Sequence, residues 1–235
     1  MMKTFAIIVA GGSGSRMQSE IPKQFLPLAG VPMLFHTLQA FLAFPHIGIL
    51  LVLPKREIDM WETLLLSTTS ENKAQIQTRV QVIPGGASRF QSVSHGLQAI
   101  PKTVEEAVVL VHDGVRPLIE SPQIEAVAQA AQQYGAAALA VPLKDTPREV
   151  LDTGENRSLD RSRIQLMQTP QGFLLSHMRR AFQAGEQPHF TDCASVLEYA
   201  GESIHLVPGS YRNIKVTTPE DLRIAEALWN HPLAN

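Results

Sequence analysis

The chain has little cysteine, little surplus charge and no long hydrophobic run, and each shortage closes off a class of function. A single cysteine, Cys193, stands among 235 residues. It cannot form an intrachain disulfide or supply a Cys-based zinc site alone, which fits a reducing, cytoplasmic setting. Lys and Arg number 20 against 22 Asp and Glu, a net charge of −2. Such a balance leaves no basic footprint for tracking nucleic acid, so an anionic ligand has to be met by a few placed cations and backbone amides. The apolar opening at 5–10 runs straight into Gly11-Gly12. It reads as a strand and loop rather than a secretory leader. No segment reaches membrane-spanning length.

What is present is a substantial apolar fraction, 44%, in a length suited to one α/β domain over 1–235. Apolar, strand-like runs at 5–10, 47–53, 80–83, 107–111 and 136–141 alternate with helix-period segments at 33–43, 57–66, 89–100 and 122–134. Runs apolar throughout suit a parallel sheet covered on both faces. The expected fold is therefore α/β, Rossmann-like, with a mostly parallel twisted sheet between helices and ligands outside the carboxyl ends of its strands. Ser121-Pro122 and Thr218-Pro219 read as caps followed by a first-turn proline, and Ser88 with Gln91 has capping-box spacing. From about 142 to 165 the chain turns polar and reads as a projecting arm, functional or an oligomer contact. Beyond it, helices are expected at 174–184, 194–199 and 218–229, and strands at 203–207 and 213–216.

The first strand ends in Ala10-Gly11-Gly12-Ser13-Gly14-Ser15-Arg16-Met17, and Pro22-Lys23-Gln24 follows. Glycines let backbone amides approach an anion closely. No lysine follows as in a P-loop, and Met17 stands where a dinucleotide fingerprint needs glycine. Two cations, Arg16 and Lys23, sit on this loop, the equipment a triphosphate requires; an ordinary tight turn is the competing reading. Arg89 opposes the helix dipole in the first turn of its segment, which is easier to explain with an anion nearby. The eight histidines show no metal-ligand spacing, and Cys193 has no base beside it in sequence.

These motifs, with Gly85-Gly86-Ala87-Ser88-Arg89, His112-Asp113-Gly114-Val115-Arg116-Pro117, Gln168-Thr169-Pro170-Gln171 and Asn213-Ile214-Lys215-Val216-Thr217, occur in an order that resembles the 2-C-methyl-D-erythritol 4-phosphate cytidylyltransferases of the non-mevalonate isoprenoid pathway. The resemblance covers residues 4 to about 229. It implies transfer of CMP from CTP to 2-C-methyl-D-erythritol 4-phosphate, a small polyol phosphate. A ribitol-5-phosphate cytidylyltransferase is the alternative.

By the same resemblance Arg16, Lys23 and Lys215 are catalytic. CTP is held by Ala10, Gly11, Gly12, Gly14, Gly85, Gly86, Ser92 and Asp113, with Asp113 also near a Mg²⁺ cofactor. Arg116, Thr146, Arg161 and Thr169 contact the polyol phosphate. Thr146 and Arg161 lie on the arm, which the resemblance makes an exchanged element of a homodimer. Many relatives carry aspartate where this chain has Ala87, so the group that meets the cytosine amine stays open.

Overall fold

A computed structural model describes residues 2–12, 17, 19–44, 46–68 and 70–231. Strand β1 (Lys3–Val9) is followed by a short hairpin, β2 (Pro27–Leu28) and β3 (Val31–Pro32), then α1 (Met33–Leu42) and β4 (Ile47–Leu53). Next come α2 (Ile58–Leu66), α3 (Ser70–Arg79), β5 (Val80–Pro84), α4 (Arg89–Ala99), β6 (Ala107–Asp113), α5 (Ser121–Tyr134) and β7 (Ala136–Pro142). The hairpin β8 (Arg148–Val150) and β9 (Asn156–Ser158) leads to β10 (Gln165–Leu174), α6 (Leu175–Phe182), α7 (Cys193–Tyr199), β11 (His205–Pro208) and α8 (Pro219–Asn230).

Among the described residues, seven strands form one sheet in the order β11-β7-β10-β6-β1-β4-β5. All pairings are parallel except those of β10, which runs antiparallel between β6 and β7. Both faces are covered, which is why the strands are apolar throughout. Ala6, Ile8, Ile49, Leu51 and Leu110 pack toward α1 and α5. Their neighbours Ile7, Leu50, Val52, Val109 and Val111 pack toward α4, α6 and α7. The chain goes from β1 to β4 and β5 on one side, then returns to β6 on the other. That reversal opens a crevice at the carboxyl ends of β1 and β6.

Three sequence expectations need correction. The segment 213–216 is not a strand of the sheet; it is tethered to the loop after β6 by one backbone bond, Val216 N to Val115 O at 2.9 Å. Glu120, not Ser121, caps α5, in a capping box with Gln123. Residue 174 ends a strand rather than opening a helix. The other caps are in place. Thr218 caps α8, and the Ser88 hydroxyl accepts from Gln91 N, while the Gln91 side chain reaches Ala87 N instead of Ser88.

Candidate active site

The crevice is a cleft of about 230 Å³ whose walls come from four separate segments. Ala10, Gly11 and Gly12 leave β1; Gly86, Ala87 and Ser88 lead from β5 into α4; Asp113 ends β6; Lys23 and Lys215 reach in from the loops. Lys23 is 8% exposed and lies directly over Gly12. A Cβ on Gly12 would stand 2.9 Å from Lys23 Cε and Nζ, so only glycine leaves the ammonium where it is. Because the obstructed atoms are the end of a flexible side chain, Gly12→Ala should spare the fold and displace the cation. Turnover is expected to fall about tenfold to a hundredfold with the melting temperature unmoved, read by pyrophosphate release beside a thermal melt.

Asp113 is the electrostatic centre. Its Oδ2 accepts from Lys215 Nζ at 3.0 Å and faces Arg116 Nε at 3.4 Å, while Oδ1 faces Arg89 Nη2 at 3.4 Å. Burial alone would raise its pKa, but Arg89, Lys215 and Arg116 outweigh burial and hold the carboxyl well below the ordinary aspartate value. Three cations on one carboxylate leave an excess of positive charge beside the cleft. That excess is a standing attraction for phosphate. It also accounts for Arg89: its wrong sign for the α4 dipole is offset by Asp113 and by a contact from Nη1 to Cys193 Sγ at 3.3 Å. Burial pushes the Cys193 thiol pKa up, and the side chain is 1% exposed, so it is not a nucleophile in waiting.

β10 braces the residues around Asp113 without lining the cleft itself. Gln168 exchanges bonds with the Ser210 backbone, its Nε2 reaching Ser210 O at 2.8 Å. Thr169 Oγ1 accepts from Asp113 N at 3.1 Å. Gln171 donates to Asp192 Oδ2 at 2.7 Å and accepts from the Cys193 and Ala194 amides, anchoring the start of α7. Asp192 also caps α7 through Ser195, as its position before Cys193 suggests. Buried Asn213 donates to Thr169 O at 2.8 Å and accepts Arg116 Nη1 at 2.7 Å through its backbone carbonyl, which mounts Lys215 two residues on.

Of the expected site residues, the structure brings Ala10, Gly11, Gly12, Lys23, Gly86, Ser92, Asp113 and Lys215 to one cleft. Gly85 supports its wall, with its amide bonded to Leu53 O at 2.7 Å. Gly14 and Arg16 lie outside the described residues. Arg116 and Thr169 are buried, and their hydrogen bonds run to Asp113 and to protein groups around it, His112 and Asn213. Thr146 and Arg161 are exposed on the arm and do not line this cleft; Arg161 Nη1 donates to Lys144 O at 2.9 Å. Sequence reading passed over His112, Gln171 and Asn213 as site residues. The available signal was polarity inside motif blocks that flank apolar strands.

A crevice at the reversal point of a mostly parallel sheet, edged by glycine amides and converging cations, defines an α/β nucleotide-binding protein of the nucleotidyltransferase class. Residues 4–231 match the pattern of IspD, 2-C-methyl-D-erythritol 4-phosphate cytidylyltransferase, and the chain belongs to that family. It is 40% identical over 228 residues to the 2-C-methyl-D-erythritol 4-phosphate cytidylyltransferase of Bacteroides thetaiotaomicron, covering 97% of this chain and 100% of that one. The crystal structure of 4-diphosphocytidyl-2C-methyl-D-erythritol synthase from Anaerococcus prevotii superimposes with a TM-score of 0.81 at 27% identity, covering 98% and 99% of the two chains. The Francisella tularensis IspD structure gives 0.78 at 30% identity, covering 96% and 99%.

Proposed function

We propose that the chain transfers CMP from CTP to 2-C-methyl-D-erythritol 4-phosphate, giving CDP-methylerythritol and pyrophosphate. The observation that carries this is the meeting of Lys23, Lys215 and the amides after β1 in one cleft, beside a carboxylate that three cations surround. A phosphate oxygen of the polyol phosphate forms a bond to the α-phosphorus of CTP as the bond to the bridging oxygen breaks and pyrophosphate leaves. The second pKa of a phosphomonoester is about 6, so the nucleophile is ionised at neutral pH and needs no base. The difficulty is repulsion between anions, and fixed cations answer it.

Lys23 and Lys215 hold the phosphates, with Arg16 joining them as the resemblance implies. The end of the cleft at Gly86, Ala87 and Ser92 takes the cytosine. Ser92 Oγ accepts from Gly86 N at 3.1 Å, which leaves the hydroxyl proton to give to the base. With Ala87 in place of a carboxylate, recognition of the amine falls to backbone oxygens of this turn.

Arg116 and Thr169 act on the polyol phosphate from behind Asp113, by holding it. Thr146 and Arg161 serve the cleft of a second subunit in a homodimer. That arrangement is supported by the arm's exposed apolar side chains, Val150 at 73% and Leu151 and Leu159 at 37%. A cytoplasmic setting agrees with the single buried Cys193. No helix among the described residues is long and apolar enough to cross a membrane.

Among the described residues no three His, Cys, Asp or Glu side chains cluster to hold a metal. Asp113 alone fits Mg²⁺ that arrives with the nucleotide, since Mg²⁺ commonly takes one or two carboxylates together with substrate phosphates. When bound, the ion neutralises charge on the triphosphate. The cations already around Asp113 oppose Mg²⁺ by itself. Calorimetry should therefore register Mg²⁺ binding with CTP and little without it.

The function is tested by offering CTP, UTP, ATP and GTP with methylerythritol 4-phosphate or ribitol 5-phosphate and measuring pyrophosphate. Release with CTP and the methylerythritol substrate is expected; release only with ribitol 5-phosphate would overturn the assignment.

A further inference from the structure

The geometry assigns His112 the part of a positioning residue, one that fixes Asp113 through the hydroxyl of Thr169. The assignment rests on the cytidylyltransferase reading for its effect on turnover, and on hydrogen-bond polarity alone for its existence. His112 is fully buried at the end of β6, with the Phe41 ring packed at 5.0 Å between centroids. A buried histidine among apolar strands is most simply a satisfied core residue. What sets this one apart is where its two bonds lead.

Nε2 lies 3.2 Å from Arg116 O, and Nδ1 lies 3.1 Å from Thr169 Oγ1. A carbonyl only accepts, so Nε2 carries the proton. The ring is fully buried and neither nitrogen meets a carboxylate, so it is held as the neutral imidazole with a single N–H, and Nδ1 accepts. Thr169 must then spend its one hydroxyl proton on Nδ1. The lone pairs of Oγ1 are left for the Asp113 amide, which donates to it at 3.1 Å.

Every proton along this line has one possible place. The line also closes on itself: Arg116, whose carbonyl receives His112, faces Asp113 Oδ2 with its Nε and donates to Asn213 O with its Nη1. Asn213 in turn donates to Thr169 O and precedes Lys215. One tautomer therefore sets the direction of one hydroxyl. That hydroxyl helps fix the backbone from which the Asp113 carboxylate, and through it Lys215, is presented to the cleft.

The test uses the full chain with Thr169→Val, His112→Phe, the double variant and His112→Asn, each checked for folding by circular dichroism. Thr169→Val keeps the side-chain shape and removes the hydroxyl; His112→Phe keeps the ring and removes both nitrogens. Each is expected to lower kcat about tenfold to a hundredfold, with KM for CTP changed less than about threefold. The double variant should be no slower than the slower single variant, because both changes cut the same line. His112→Asn, which offers an acceptor near the Nδ1 position, should recover part of the loss. In ¹⁵N spectra of the imidazole, Thr169→Val should move the Nδ1 resonance of His112 while Nε2 stays protonated.

Folded variants with kcat within about twofold of the parent, or losses that multiply in the double variant, would overturn the assignment. If the unaltered protein made no CDP-methylerythritol, the functional reading would fail on its own. The Nδ1 response to Thr169→Val would still decide whether the hydrogen-bonded line exists.

Discussion

Replacing Lys215 with alanine is expected to lower kcat about a hundredfold to a thousandfold, the scale for removing one fixed donor from a charge-developing transition state. The fold should survive. Lys215 is 43% exposed in its side chain, and Asp113 keeps Arg89 and Arg116 when it goes. Stability should fall by no more than about 1 kcal/mol, as for a partly solvated ion pair. KM for CTP should move little, since the proposed function leaves Lys23 and the amides after β1 to engage the phosphates. Steady-state pyrophosphate release together with urea denaturation separates these effects. A variant that lost affinity and kept turnover would place Lys215 in ground-state binding instead.

Asp113→Asn should behave in the opposite way, damaging the fold as well as the chemistry. The change strands Arg89, Arg116 and Lys215 around a neutral side chain, and Arg116 is buried. Breaking a buried charge cluster by removing one partner typically costs about 3–5 kcal/mol. The loss depends on pH with a definite sign. The folded pKa of Asp113 lies below the ordinary 3.8, so its carboxylate stabilises the native state fully above that value and progressively less as pH falls toward the folded pKa. The stability gap between parent and variant should therefore be widest near pH 7 and narrower at about pH 3. Urea unfolding at both values measures it, and a gap unchanged between them would show that Asp113 does not stabilise through its charge.

Much of this is legible in the sequence. Five of the sheet's strands and four of the helices between them, α1, α2, α4 and α5, announce themselves as apolar runs and helical stripes, because both faces of the sheet are buried. The cation and glycine positions of the cleft are legible too, since a glycine loop followed by Lys23, and a lysine in an otherwise apolar stretch at 215, are chemically out of place without a ligand.

The misses have physical causes. β10 contains Gln168, Thr169, Pro170 and Gln171, and proline argues against a central strand. The structure accommodates it with a register shift between Met167 and Gln171. α3 has one fully buried apolar residue, Ile76, and so shows no stripe. The apolar segment around Lys215 reads as a strand because periodicity cannot tell a sheet strand from an extended tether. The bonds that tie Arg116 and Thr169 to Asp113 and Asn213 were not legible, because hydrogen-bond direction is a three-dimensional fact.

The late arrival of β10 has a consequence for how the protein comes into being on the ribosome. β6 and β7 are neighbours along the chain yet are held apart in the sheet by β10. Until residues 165–174 have been made, that seam has no partner, and the Asp113 end of the cleft lacks the side chains that organise it. The emerging chain therefore carries its glycine loop early, and the supports of Asp113 together with Lys215 only near completion.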